Sequence, residues 1–278
     1  MSGTFEAADG RRLAYRDSGG GGPPVLCLAG LTRNASDFEW LAGHLAPRYR
    51  VLRLDSRGRG DSAWADDPVE EYQVSVEARD ALAFLDHLGI ARTAVIGTSR
   101  GGILGMSIGA TARERLSCLV LNDVGPVVEQ AGLAKIKGYV GIDPGWSSFS
   151  EAATALAHSM GAAFPDLTGE QWMSFARTLY EDREGRPQLR YDPRLREAVH
   201  AGVAPGEMWH LFDALGALPI LTVRGENSDI LSAETLAEMR RRRPDMAAVT
   251  VPDRGHVPFL DEAPAVDAID AFLDAHAG

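Results

Sequence analysis

The sequence predicts an α/β fold, a mostly parallel sheet covered on both faces by helices, on three observations. Val25–Ala29, Ala94–Gly97 and Leu116–Leu121 are almost continuously apolar rather than alternating, the mark of strands buried on both faces. Such runs alternate with longer segments of helical periodicity. One of them passes without a break into Gly97–Thr98–Ser99–Arg100–Gly101 and then into an apolar helical pattern, Ile103, Leu104, Met106 and Ile108. A chain of 278 residues makes one large domain or two modest ones and is long enough to bury a sizeable core.

Taken in order, the strand-like runs are Leu13–Arg16, Val25–Ala29, Val51–Leu54, Ala94–Gly97, Leu116–Leu121, Ile220–Val223 and Ala248–Val251. The glycine–proline stretch at 19–24 reads as a turn into the second run. Ser36 with Glu39 three residues on has the form of a capping box leading into Trp40–Leu45. Residues 74, 78, 81, 82, 85 and 88 form an apolar helical stripe. Ser232 caps a helix that ends in Arg240–Arg243 before Pro244, where four positive charges suit the negative end of the helix dipole better than they suggest an anion site. From Pro126 to Pro205 the alternation stops. The segment is helix-like and rich in aromatics (Tyr139, Trp146, Phe149, Phe164, Trp172, Phe175, Tyr180), as expected of a helical cap over one edge of the sheet. The expected division is a core of 1–125 and 206–278 with a cap of 126–205.

Composition excludes several function classes. With 28 Lys and Arg against 39 Asp and Glu the net charge is −11, and neither nucleic acid nor an anionic membrane is an expected partner. The N-terminus lacks a signal-peptide core and no apolar run approaches the ~20 residues that span a bilayer, so a soluble, cytoplasmic protein is expected. Cys27 and Cys118 lie inside apolar runs and read as buried packing residues. No metal-ligand spacing is present, the glycine patterns do not fit phosphate loops, and no cofactor is expected. The expected partner is a small-molecule substrate. Monomer and dimer stay equally open.

The chemistry centres on Ser99. A sharp strand-to-helix turn needs small residues at 97 and 101, because side chains there collide with neighbouring backbone. The turn lifts the serine above the sheet at a helix N-terminus, whose N–H groups favour a developing oxyanion. Of the 7 histidines, His256 stands apart, in a Gly-His loop after the last strand-like run. A serine hydroxyl needs such a base within hydrogen-bond reach.

These residues, with three further segments, give the chain its resemblance to capped serine hydrolases of the α/β-hydrolase superfamily, over nearly its whole length. Leu26–Thr32 resembles the oxyanion loop after the third strand, with Ala29–Gly30 where His-Gly is usual. Asp55–Ser62 matches the structural D-x-R-G-x-G-x-S turn, and Arg254–Phe259 the catalytic histidine loop. The resemblance implies an eight-stranded sheet, a cap inserted after the sixth strand, and an oxyanion hole from the N–H groups of Leu31 and Arg100. It leaves the acid open. The usual position, three residues beyond Gly225, is Ser228, with Asp229 one residue late; Asp123, after Leu116–Leu121, ends a strand as in some capped relatives. Asp123 is favoured and Asp229 is the alternative, with Ser228 a candidate helper. Arg33 and Arg100 flank the oxyanion site and have the geometry to fork a substrate carboxylate, or to pair with acids such as Asp37 or Asp55. Trp146 and Tyr139 are candidate substrate contacts from the cap.

The implied activity is cofactor-free cleavage of a small carboxylic ester, thioester or lactone through an acyl-enzyme. Hydrolysis of a C–C bond in a ring-fission dienone and a haloperoxidase-like activity are alternatives, and an idle ligand-binding receptor is the non-enzyme alternative. Aspartate stands at the elbow in dehalogenases and epoxide hydrolases, so a serine there disfavours both.

Overall fold

The computed structural model describes residues 1–202 and 206–278. Its strands are β1 (Ser2–Glu6), β2 (Arg12–Asp17), β3 (Pro24–Leu28), β4 (Arg50–Leu54), β5 (Thr93–Thr98), β6 (Leu116–Asn122), β7 (Tyr180–Arg183), β8 (Arg186–Leu189), β9 (Ile220–Gly225) and β10 (Ala247–Val251). Eight form one sheet in the order β1-β2-β4-β3-β5-β6-β9-β10. From β4 to β10 all neighbours are parallel, while β1 and β2 pair antiparallel at one edge.

The continuous apolar runs have a direct cause. In β3, Val25 and Cys27 face one core while Leu26 and Leu28 face the other; in β6, Cys118 and Val120 oppose Leu119 and Leu121 in the same way. One face packs on the helices Val74–His87, Arg100–Thr111 and Trp209–Ala214 through Phe84, Met106 and Phe212. The other packs on Glu39–Leu45 and Ala263–His276 through Leu41, Leu45, Ile269 and Phe272. Strands with a helix layer on each side have no polar face to show.

Three local expectations need correction. β1 was not legible, because only Phe5 of its five residues is buried and an edge strand this exposed carries no apolar signal. The capping box at Ser36 does not form. Asn34 instead accepts from Ser36 N at 3.0 Å to cap a 3-10 turn, Ala35–Phe38, and Ser36 Oγ accepts from Arg16 and Arg190. The segment between β6 and β9 is not purely helical. Besides the helices Gln130–Tyr139, Phe149–Met160, Gly169–Leu179 and Leu195–Ala201 it contains the β7–β8 hairpin. Glu184 and Gly185 turn that hairpin, both with positive φ (55° and 81°), as a tight two-residue turn requires. The expected cap end at 205 lies outside the described residues.

This segment docks on the sheet's loops at several places. Phe164 and Phe175 pack on Phe259 of the histidine loop, with ring centroids 5.5 and 5.2 Å apart, and the Tyr72 hydroxyl donates to the fully buried Asp192 at 2.6 Å. Among the described residues no helix is long and apolar enough to cross a membrane.

Candidate active site

Ser99 sits between β5 and the helix Arg100–Thr111 at φ 52°, ψ −115°, a conformation costly for a residue with a side chain. Its flanking glycines are obligatory. A Cβ on Gly97 would stand 2.4 Å from the Gly101 carbonyl oxygen, and one on Gly101 would stand 2.0 Å from that of Leu28. The close approach of Gly101 to Leu28 is what brings the loop after β3 against the elbow. The backbone is pinned there by Ser99 N donating to Asn122 O at 2.9 Å.

Three side chains from three strand ends converge. Ser99 Oγ lies 3.0 Å from His256 Nε2, and His256 Nδ1 lies 2.8 Å from Asp123 Oδ2. Asp123 is fully buried and also at positive φ (56°), held by its own N–H on Val223 O at 2.7 Å. Its carboxylate accepts from Gly225 N at 2.8 Å through Oδ1 and from the Ser228 hydroxyl at 2.6 Å through Oδ2. Every group facing that carboxylate is a donor. With the carboxylate accepting from Nδ1–H, the Nε2 of His256 is left facing Ser99 Oγ as an acceptor. Asp229, the alternative acid, turns outward to Lys135 Nζ at 2.5 Å. The one-residue offset sends its carboxylate to the helix Gln130–Tyr139 and puts Ser228 against Asp123.

The N–H groups of Leu31 and Arg100 have no protein acceptor among the described residues. Arg100 N opens the helix after Ser99, and a Cβ placed on Gly30 would lie 3.7 Å from Ser99 Cβ, so the loop carrying Leu31 borders Ser99.

The flanking arginines part company. Arg100 faces inward, with Nε on Glu77 at 2.7 Å and Nη2 on the Tyr72 carbonyl at 2.7 Å, and it is not free to fork a substrate carboxylate. Its acid is neither of those expected. Arg33 grips Asp37 through Nε at 2.7 Å and Nη2 at 2.5 Å, and its guanidinium lies 5.1 Å from the centroid of Phe175. Its Nη1 is buried without an acceptor among the described residues, and so is Trp146 Nε1. Tyr139 is half exposed, but desolvation of its hydroxyl end raises the phenol above its ordinary range against the lowering influence of Arg33 and Thr32.

Residues 25–269 match the model of the alpha/beta hydrolase family. The chain belongs to that family. This hydrolase is 34% identical to a 3-hydroxybutyrate-oligomer hydrolase of Cupriavidus necator over 95% of its own length and 94% of that protein's. It is 29% identical to a 2-(acetamidomethylene)succinate hydrolase of Mesorhizobium japonicum, with 92% and 90% covered. The crystal structure of an alpha/beta hydrolase from Novosphingobium aromaticivorans superposes with a TM-score of 0.93 at 44% identity, covering 99% of this chain and 98% of that one.

Sequence reasoning passed over two charged residues behind the site, Glu77 and Arg59. A signal for Glu77 existed: position 77 falls on the same helical face as apolar 74, 78, 81 and 85, where a charge needs a buried partner. Arg59 occupies a variable place inside the glycine-rich 55–62 turn, and nothing local marks it.

Proposed function

We propose that the protein is a serine hydrolase of short carboxylic esters, working through an acyl-enzyme on Ser99. The observation that carries this is the unbroken series Ser99 Oγ–His256 Nε2–Asp123, with contacts of 3.0 and 2.8 Å. Ser99 Oγ bonds to the ester carbonyl carbon as its proton passes to His256 Nε2, and the carbonyl electron pair moves onto oxygen. The N–H groups of Leu31 and Arg100 hold that oxyanion. Asp123 stabilises the imidazolium without taking its proton. Collapse of the tetrahedral adduct breaks the C–O bond, His256 returns the proton to the departing alcohol, and a water repeats the sequence on the acyl-serine.

The substrate class we favour is a hydroxyacid oligoester or another small ester bearing a free carboxylate. Similarity to the 3-hydroxybutyrate-oligomer hydrolase over 95% of the chain supports it. So do Arg33 Nη1 and Trp146 Nε1, two of the several buried donors without acceptors among the described residues. Orphaned buried donors are uncommon in folded proteins, and a ligand acceptor accounts for them. The test is turnover of p-nitrophenyl acetate and of 3-hydroxybutyrate dimer by the wild type and Ser99→Ala. The variant should fold normally, lose at least ~10³-fold in kcat on both, and escape labelling by a fluorophosphonate that tags the wild type once per chain. Retention of a tenth of wild-type kcat would remove Ser99 as nucleophile.

A further inference from the structure

We propose that Glu77 is a positioning residue of the oxyanion hole, a single buried carboxylate that holds both residues whose N–H groups form it. The inference rests on the acyl-enzyme reading above and adds to it a residue with no contact to substrate.

Glu77 lies on the helix Val74–His87 and is 2% exposed. Its two oxygens go to different arginines. Oε2 accepts from Arg100 Nε at 2.7 Å, and Arg100 supplies one oxyanion donor through its own backbone N–H. Oε1 accepts from Arg59 Nη1 at 2.6 Å, and Arg59 Nε donates to the carbonyl of Leu31, the residue of the other donor, at 2.8 Å. Each arm is braced a second time. Arg100 Nη2 donates to Tyr72 O at 2.7 Å, and Arg59 Nη1 donates to Arg57 O at 2.6 Å, while the Arg59 guanidinium lies 5.1 Å from the Tyr72 ring centroid. The two halves of the hole come from separate loops, after β3 and after β5. Beyond the close approach of Gly101 to Leu28, this pair of arms is a side-chain link between them.

The physical case is preorganisation. Oxyanion donors accelerate a reaction because they already point where charge will develop, and a donor free to rotate must be ordered during the step. Leu31 is on a loop outside regular structure, so its orientation depends on what grips its carbonyl. Burial alone would raise the Glu77 carboxyl, but the guanidiniums of Arg100 and Arg59 outweigh it and hold the group below the ordinary carboxylate range. Arg57, the neighbouring buried arginine, binds Asp80 instead, through two contacts of 2.7 Å, so the Glu77 arms are not duplicated by that pair.

The test compares wild type with Glu77→Gln, which keeps the shape but presents an amide to one of the two guanidiniums. Competent sites are counted by fluorophosphonate titration. Then kcat and KM are measured on p-nitrophenyl acetate, together with inhibition by a phenylboronic acid, whose adduct on serine carries the tetrahedral anion. A positioning role predicts a fall in kcat per competent site of about 10- to 100-fold, less than outright loss of a donor. It predicts a KM within about threefold of wild type and a loss of boronate affinity matching the loss in kcat. Arg59→Lys, which keeps the charge but cannot span Leu31 O and Glu77 together, should give the same signature and stands in if Glu77→Gln does not fold. The proposal is overturned if kcat per competent site and boronate affinity both stay within about threefold, or if activity falls only in step with the number of competent sites. Turnover by Ser99→Ala would defeat the acyl-enzyme reading separately, whatever the Glu77 variant does.

Discussion

Replacing Asp123 by Asn tests the acid with little change of shape. In the structure Asp123 Oδ1 accepts from Gly225 N, and Oδ2 accepts from both Ser228 Oγ and His256 Nδ1. An asparagine has one oxygen and one donating NH2. The backbone N–H of Gly225 cannot become an acceptor, so the oxygen stays there and the NH2 faces His256 and Ser228. The Ser228 hydroxyl can turn to accept, but His256 Nδ1 must then lose its proton, which moves the tautomeric hydrogen to Nε2. Nε2 then donates towards Ser99 and can no longer take its proton. The expected loss in kcat on p-nitrophenyl acetate is at least about 100-fold and up to ~10⁴-fold, or about 2.7–5.4 kcal/mol of transition-state stabilisation. Folding should survive, since the change removes a buried charge and leaves one donor–donor conflict that a tautomer shift relieves. The control is Asp229→Asn, which breaks only the contact with Lys135 and should cost less than about tenfold. Fluorophosphonate titration normalises both variants to competent sites. If Asp229→Asn lost more activity than Asp123→Asn, the acid would be misassigned and the reasoning refuted.

Three further outcomes are expected. Ser228→Ala removes one of the donors on Asp123 without touching the His256 contact, and its kcat should fall between those of Asp123→Asn and Asp229→Asn; a loss as large as that of Asp123→Asn would show that Ser228 does more than hold the carboxylate. Arg33→Met should raise KM for 3-hydroxybutyrate dimer at least about tenfold more than KM for neutral p-nitrophenyl acetate, whereas equal losses on both would assign Arg33 to holding the loop through Asp37 alone. Burial pushes the Cys27 and Cys118 thiols up to about 12, so at pH 8 the folded protein should resist a thiolate-directed reagent and release two reactive thiols only in denaturant; rapid labelling of the native protein would contradict that burial.

What the sequence by itself determined is what local chemistry and steric demand can write into neighbouring residues. The runs at β3, β5 and β6 were legible because both faces of those strands are buried and nearly every position is apolar. The elbow was legible because two glycines flank a serine between a strand and a helix, and a Cβ at either glycine would collide with backbone. His256 was legible from its Gly-His loop after the last strand. β1 was not, because a half-exposed edge strand carries no pattern, and neither was the hairpin at 180–189, whose polar residues resemble a helix face as much as a turn. Asp123 and Asp229 are both aspartates in loops at strand ends, and no local property separates them. Only the tertiary structure does so, through the pairing of β6 with β9, which sets Asp123 against Gly225, Ser228 and His256 and leaves Asp229 facing Lys135. The same holds for Glu77, Arg59 and Arg100, which lie 18 to 41 positions apart in the chain and meet around one carboxylate. A residue's type states what it can bond to. Which partner it meets depends on distances set by the packing of the whole sheet, and those are not a property of any stretch of sequence.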